Sequence, residues 1–379
     1  MRIKIVLLFL IICSLLNGCG KQEKKQEYLD IEQEQKKMQQ NKLDAQIDNM
    51  DEDDKAYNTM SDGFTTDGQY LYGLDKKKLN LKNGRMQYLC SIPGCQHDIN
   101  VSPDCLSVKK MYSAVYTKKG IFCLQSGTST LKQGSADAGK LWKYLDGKIS
   151  LVYENTFYTD YEEKNYPDAK NSINFLLAWK NKVFLVGGTF YREYDLDTKT
   201  ISDAIVISDT GIMGMCVTDK YIYYYNNIYE LYRYDKKTKE KNKIADKVAY
   251  VTYQNQKIYY VCYEDEIPFL YDMKEDGTEK RKLIKDCWVN CSITDKAIYY
   301  QAYCSDYETY VSDLNGENVK QIIIKNKDES GQEERIKEFF YIIAYDKIKD
   351  VFFVDENFDN IYALEKETLN YKVINENGD

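Results

Sequence analysis

The sequence predicts an all-β protein folded as a β-propeller of seven four-stranded blades, with six or eight blades as the alternatives. From about residue 57 onward, the chain consists of short aromatic and β-branched runs separated by polar turns. The same order of runs recurs about every forty residues. This period, with about four short strands in each unit, is typical of propeller blades.

The repeat unit begins with a polar turn that leads into an apolar, Tyr-rich strand. A second strand carries a Tyr before an acid, and a more polar strand follows. The best copies start at residues 218, 254 and 294, a further copy starts at residue 349, and looser copies start at residues 67, 119 and 181. Another all-β repeat, such as a solenoid or a stacked sandwich, is the alternative to the propeller.

The strands differ in composition as the strands of a blade should. The run at residues 258–261 is wholly apolar, as expected for an inner strand that neighbouring blades cover on both faces. The run at residues 279–284 mixes charged and apolar side chains, as expected for an outer strand in contact with water. Asp-Gly and Asn-Gly pairs supply the positive φ angles that tight hairpins need.

The paired aromatic residues of these strands, in places followed by an acid as at residues 351–355, resemble the YWTD propellers of the low-density-lipoprotein-receptor-related proteins. The chain resembles most closely the clostridial-type bacterial lipoproteins that carry a propeller of this kind. The resemblance covers roughly residues 60–375 and implies the fold rather than a function.

The N-terminus predicts export and a lipid anchor. Residues 1–18 form a signal peptide, because Arg2 and Lys4 precede an apolar run that is too short to span a bilayer. Leu16-Asn17-Gly18-Cys19 resembles the lipobox of bacterial lipoproteins, which implies a diacylglycerol on the Cys19 thiol. A plain secretory signal is the alternative. Two acyl chains satisfy the requirement for stable anchoring, so we expect the protein on the extracytoplasmic face of the cell membrane.

Residues 19–56 predict a polar tether between this anchor and the folded body. The segment has almost no large apolar side chains and is rich in Gln, Glu, Lys and Asp, so it cannot bury a core. The domain boundaries that follow are a signal peptide at 1–18, a tether at 19–56 and a propeller at 57–379.

One cluster stands out in a Cys/His-rich insertion at residues 89–106. Cys90, Cys95, His97 and Cys105 follow a C-x4-C-x-H-x7-C spacing, and His97 is the only histidine of the chain. Three sulfurs and one imidazole could close a tetrahedral site that suits zinc. Since exported cysteines can oxidise, a local disulfide is an equal alternative, and free thiols are the third.

The composition excludes some classes of function but does not identify one. The net charge of the chain is −8. Removal of residues 1–18 takes away two bases and no acid, which gives −10. Such an acidic protein is a poor binder of nucleic acid, because contact with phosphates needs a basic surface. A single histidine leaves no Ser-His-Asp arrangement unless His97 serves, and no catalytic residue can be assigned. We therefore expect a non-catalytic binding or scaffolding module for an extracellular protein, peptide or glycan. The alternative is an extracellular enzyme that acts on a polysaccharide or cell-wall polymer with carboxylates and a metal.

Overall fold

A computed structural model of the chain describes residues 65–375. Gaps lie at residues 75–76, 82–84, 91–93, 98–104, 106–110, 126–139, 146–147, 155–172, 328–332, 337–338, 340, 345–348 and 355–360. The predicted signal peptide, Cys19 and the predicted tether therefore lie outside the described residues. None of the described residues form a helix that is long and apolar enough to cross a membrane.

Twenty-eight strands form seven antiparallel four-stranded sheets, which confirms the predicted seven-bladed propeller. Blade 1 contains β1 (Thr65–Thr66), β2 (Tyr70–Leu74), β3 (Lys77–Asn80) and β4 (Met86–Tyr88). Blade 2 contains β5 (Met111–Thr117), β6 (Gly120–Gln125), β7 (Lys140–Leu145) and β8 (Lys148–Glu154). Blade 3 contains β9 (Ile173–Trp179), β10 (Lys182–Gly187), β11 (Phe190–Asp195) and β12 (Ile205–Val206).

The remaining blades follow the same order along the chain. Blade 4 contains β13 (Ile212–Val217), β14 (Tyr221–Asn226), β15 (Leu231–Asp235) and β16 (Lys241–Ala245). Blade 5 contains β17 (Val248–Gln254), β18 (Lys257–Glu264), β19 (Ile267–Lys274) and β20 (Arg281–Lys285). Blade 6 contains β21 (Cys287–Ile293), β22 (Ile298–Ala302), β23 (Thr309–Ser312) and β24 (Lys320–Ile322). A separate hairpin, β25 (Ile324–Lys327) with β26 (Glu333–Ile336), precedes blade 7, which contains β27 (Tyr341–Ala344), β28 (Asp350–Val354), β29 (Ile361–Glu365) and β30 (Tyr371–Asn375).

Blade 5 shows how the sequence builds one unit. Asn255 and Gln256 have φ angles of 52° and 59° and join β17 to β18 with Gln254 paired to Lys257. Positive φ at both central positions is the signature of the hairpin turn that matches strand twist. The apolar run at residues 258–261 then lies in β18 with each side chain at most 3% exposed. This run forms the second of the four strands, inside the sheet and buried, as the sequence predicts for an inner strand.

The innermost strand of each blade precedes the polar turn that marks the repeat. Neighbouring first strands contact one another, for example β13 with β17 and β17 with β21, so the first strands surround the centre of the ring. Their short polar side chains connect adjacent blades. The Leu176 N–H donates to Ser113 Oγ at 3.0 Å, and the Ile342 N–H donates to Asn290 Oδ1 at 2.9 Å. These buried polar groups are satisfied by the next blade, as buried polar groups must be.

Apolar clusters close the ring. Blades 1 and 2, blades 2 and 3, blades 3 to 5, blades 5 and 6, and blades 6 and 7 each share one continuous buried cluster. A further cluster packs Leu71 and Leu79 of blade 1 against Phe352 and Ile361 of blade 7. Each blade is a contiguous stretch of chain, so the seam between blades 7 and 1 is held by side-chain packing rather than by a shared sheet.

Candidate metal centre

The link between blades 1 and 2 carries the sequence-predicted cluster. The outer strand of blade 1 ends at Tyr88, and the inner strand of blade 2 begins at Met111. Leu89 is buried at the end of this outer strand and anchors the start of the link. Cys90 follows immediately, so its position is fixed by the sheet rather than by the link itself.

The four predicted side chains are together. One ligand atom from each of Cys90, Cys95, His97 and Cys105 lies within 4.8 Å of every other, and this is the one such group of three or more among the described residues. Cys105 is fully buried, and the other three are half-buried. A tetrahedral zinc with Zn–S bonds of about 2.3 Å would hold neighbouring ligand atoms roughly 3.5–4 Å apart. A small inward movement of these side chains is therefore enough to close the site.

Two contacts of His97 favour a metal-binding arrangement. Its Nδ1 lies 3.5 Å from Cys105 Sγ, which identifies Nδ1 as the nitrogen that faces the sulfurs. Its backbone N–H donates to Cys95 Sγ at 3.4 Å. A hydrogen bond to sulfur favours the charged thiolate over the thiol, and the thiolate is the form that binds metals.

The backbone brings these atoms together through two residues with positive φ. Gly94 has φ of 70°, and His97 has φ of 55°. Glycine adopts this conformation without the steric cost that a Cβ imposes. His97, which has a Cβ, is held in the left-handed region within the cluster itself. The turn at Gly94 sets Cys95 and His97 beside Cys90.

Tyr88 supports the imidazole, a role that no sequence motif indicates. Its ring stacks on the His97 ring with the centroids 3.9 Å apart and the planes 21° from parallel. Lys77 lies beside the Tyr88 ring, with its Nζ 5.7 Å from the centroid. The stacking restricts rotation of the imidazole, so His97 is oriented before any ligand arrives.

Four described cysteines outside the cluster, Cys123, Cys216, Cys287 and Cys291, are buried and form no disulfide. Cys216 is 1% exposed, and burial raises the pKa of its thiol. Cys287 and Cys291 are both fully buried in blade 6. Burial, and the neighbouring Cys291 after it, raise the pKa of the Cys287 thiol, so Cys287 is held in the neutral, unreactive form.

Comparisons with known proteins extend only to the architecture. No family model matches the chain, and no curated protein matches it by sequence. Among solved structures, the nidogen/laminin complex contains a similar chain at 10% identity and a TM-score of 0.40, with 68% of this chain and 90% of that one covered.

Two further solved structures are similar to this chain in architecture, again at low sequence identity. PorZ of Porphyromonas gingivalis, described as a bacterial surface component of the type-IX secretion system, is 10% identical with a TM-score of 0.48; 82% of this chain is covered but only 36% of PorZ. A chain of the mitotic checkpoint complex is 8% identical with a TM-score of 0.42, with 66% and 74% covered. At these identities the neighbours carry no information about what this chain binds.

Proposed function

We propose that this chain is a lipid-anchored protein of the cell surface whose propeller is a non-catalytic binding module. We also propose that one zinc ion, held by Cys90, Cys95, His97 and Cys105, fixes the link between blades 1 and 2. The observation that supports the zinc is the convergence of these four ligand atoms within 4.8 Å.

The donor set favours zinc over other metals. Zinc takes thiolate and imidazole ligands in closed tetrahedral sites, and such sites stabilise folded structure directly. Calcium and magnesium need oxygen ligands, which this group does not offer. The use of all four positions by protein side chains leaves none open for water, so the ion would be structural rather than catalytic.

The link needs such a cross-link because blade 1 offers little burial. Its strands contain two, five, four and three residues. Small elements that cannot bury enough apolar surface are commonly held by a metal or a disulfide. The approach of His97 Nδ1 to Cys105 Sγ at 3.5 Å favours the metal over the disulfide alternative, because a metal site uses the imidazole and a disulfide does not need it.

Metal analysis of purified residues 20–379 tests the zinc. We expect one equivalent of zinc, and after exchange for cobalt an absorption band from sulfur-to-metal charge transfer. Cys105→Ser and His97→Ala should each lower the affinity for zinc by more than about tenfold, because each removes one of four ligands. The control is Cys262→Ser, a half-buried thiol of blade 5 outside the cluster. Protein without bound zinc but with a Cys90–Cys95 or Cys95–Cys105 disulfide would overturn the proposal.

The lipid anchor rests on the lipobox at residues 16–19 and the apolar-poor segment after it. Cys19→Ala should release the protein from membranes or leave an uncleaved precursor. Cys13→Ala, a thiol within the apolar run of the signal, is the matched control and should leave the protein in the membrane fraction. A mature-sized Cys19→Ala protein that still partitions into detergent would refute the anchor.

The non-catalytic role is supported by the position of the single histidine. His97 lies within the sulfur cluster, where a ligand to metal cannot also act as a general base. Incubation of residues 20–379 with cell-wall polysaccharide should release no reducing sugar. Turnover that disappears in the His97→Ala or Cys105→Ser protein would instead establish the enzymatic alternative.

A further inference from the structure

Exposed apolar side chains concentrate on one face of the ring. We define the linker face as the face where the first strands begin; it is formed by the links between blades and by the turns between second and third strands. Eight large apolar side chains are exposed in the described part of the chain. Five of them lie on the linker face of blades 4 to 6: Met213, Ile228, Tyr229, Tyr303 and Ile323.

The exposure of these side chains is high for their size. Ile228 and Tyr229 are each 56% exposed, Met213 is 51%, Ile323 is 46% and Tyr303 is 38%. Isolated apolar residues are normal on protein surfaces, but a contiguous group indicates an interaction site. Tyr, Trp and Met are also the residues that interfaces favour over the rest of the surface.

Aromatic rings connect the three blades. In blade 6, Trp288 stacks on Tyr303 with centroids 4.6 Å apart and planes 4° from parallel, and Tyr307 packs edge-on against both. In blade 5, Tyr263 is half-buried between this group and Tyr229 of blade 4. Burial, and then the neighbouring phenols of Tyr303, Tyr229 and Tyr307, raise the pKa of Tyr263 to about 12. The stacked rings of blade 6 form one continuous surface, and Tyr263 and Tyr229 lie near it on the linker face.

The loops that carry these rings are held in place by backbone hydrogen bonds. The Tyr229 carbonyl accepts from the Val248 N–H at 2.7 Å, across the boundary between blades 4 and 5. The Tyr263 N–H donates to the Lys247 carbonyl at 3.0 Å. A surface ordered before binding loses less conformational entropy when a partner arrives, which favours its use as a docking site.

The same face is bordered by exposed acids. Asp265 and Glu266 form the turn between β18 and β19, both with positive φ, and Asp306 is also exposed, whereas Asp246 already pairs with Lys243 at 2.5 Å. These acids contribute to the net charge of −8 of the whole chain. Electrostatic complementarity at such a border selects partners of opposite sign and speeds their association.

We infer that the linker face of blades 4 to 6 docks a protein partner whose contact surface has an apolar centre flanked by Lys or Arg. The inference rests on the proposed role as a binding module and names its partner class. The aliphatic side chains Met213, Ile228 and Ile323 fit a protein surface better than a glycan, which would need polar groups at those positions. Exposed tyrosine faces add cation–π attraction for Lys and Arg.

Short synthetic peptides of leucine and lysine test the inference against matched peptides of leucine and glutamate, and of serine and lysine. The leucine–lysine peptides should bind residues 20–379 at least about tenfold more tightly than either comparison set. The double variant Tyr229→Ser with Tyr303→Ser should lose about tenfold or more of this affinity, as removal of aromatic anchors does. Asp265→Lys with Glu266→Lys should weaken binding mainly through slower association.

Two control variants separate this face from the rest of the surface. Leu145→Ser with Leu151→Ser removes side chains that are 43% and 46% exposed on blade 2, and it should change nothing. Glu240→Lys with Glu367→Lys makes the same charge change on exposed turns of the opposite face.

Equal binding of lysine and glutamate peptides, or equal losses in the control variants, would overturn the inference and leave the proposed binding role intact. Selective binding of neutral oligosaccharides that the Tyr229→Ser with Tyr303→Ser protein loses would assign the face to glycans. Sugar release in the same samples would overturn the proposed function instead.

Discussion

Blade 1 and blade 5 follow the same four-stranded plan but are held together by different means. The strands of blade 5 contain seven, eight, eight and five residues, whereas those of blade 1 contain two, five, four and three. Blade 5 buries a tyrosine-rich core and shares it with blades 4 and 6. Blade 1 has the sulfur and imidazole cluster at its end. If zinc binds there as we propose, a local cross-link replaces buried area in this short unit.

The largest expected effect lies in the core of blade 5. Tyr260 is 3% exposed and stacks on Tyr271 with centroids 5.2 Å apart. Tyr260→Ala should lower the free energy of unfolding by about 3–5 kcal/mol, because it removes a large buried ring and leaves a cavity. Urea denaturation followed by tryptophan fluorescence measures this. Tyr229→Ala, at an exposed ring, should cost under about 0.5 kcal/mol; equal losses for the two variants would show that blade 5 does not depend on its core.

The buried charge of blade 5 should give the next largest effect. Asp272 is 1% exposed, and its carboxylate accepts from Arg281 Nε at 2.9 Å and from Lys257 Nζ at 2.7 Å. Asp272→Ala leaves both cations without their buried partner and should cost about 3 kcal/mol in urea denaturation.

The exposed pair Lys274–Glu279 of the same blade is the control for this carboxylate. Glu279→Ala should cost no more than about 0.5 kcal/mol, because surface ion pairs contribute little. If Asp272→Ala were as mild as Glu279→Ala, the Asp272 network would not hold the outer strand to the blade.

Metal removal should loosen blade 1 alone. It therefore tests whether the proposed metal site stabilises blade 1, as the buried core stabilises blade 5. With a strong chelator present, backbone amides of β2, β3 and β4 should exchange hydrogen more than about tenfold faster, because the cross-link no longer opposes local opening. The amides of β18 and β19 should exchange as before. Hydrogen-exchange mass spectrometry resolves both regions in one sample. Acceleration spread evenly over all blades would mean that the cluster stabilises the ring as a whole.

The repeat itself could be predicted because it depends on short-range chemistry. The aromatic runs and the turn residues specify the second and third strands of each blade directly. The first strands were harder to identify. Strands such as β13 and β21 include glycine, cysteine and asparagine, and these residues interrupt the regular aromatic pattern that marks the other strands. The polar side chains Asn290 and Ser292 of β21 have partners in the next blade, which a linear pattern does not reveal.

The convergence of Cys90, Cys95, His97 and Cys105 could also be predicted, since four rare donors fall within sixteen residues. The supporting ring of Tyr88 could not, because a tyrosine at the end of a polar outer strand looks like any exposed residue. The linker-face aromatics share this difficulty. Tyr229 and Tyr303 lie in turns far apart along the chain, and only the circular arrangement of blades brings them onto one surface.

The smallest expected effect is a pH dependence in blade 4. Hydrogen bonds from Lys243 at 2.7 Å and from the Tyr232 hydroxyl at 2.7 Å lower the pKa of Glu230 from its ordinary 4.5 to about 2. A carboxyl with a lowered pKa stabilises the folded state above its unfolded pKa, and this contribution disappears as the pH falls through the folded value. The contribution is therefore complete above about pH 4.5 and lost between pH 4.5 and about 2.

Glu230→Gln should reproduce this loss without a change of pH. The urea midpoint of the variant should be slightly lower than that of the parent protein at pH 6, and the two should converge near pH 2, where the parent carboxyl is protonated too. Denaturation at pH 6, 4 and 2 on both proteins measures the difference. Because the carboxylate and Lys243 are solvent-accessible, the gap at pH 6 should also narrow in high salt. The difference in urea midpoint between the two proteins could instead persist unchanged at pH 2. That outcome would mean that the Gln side chain disturbs the packing of the β14–β15 turn and that the charge of Glu230 contributes nothing to blade 4.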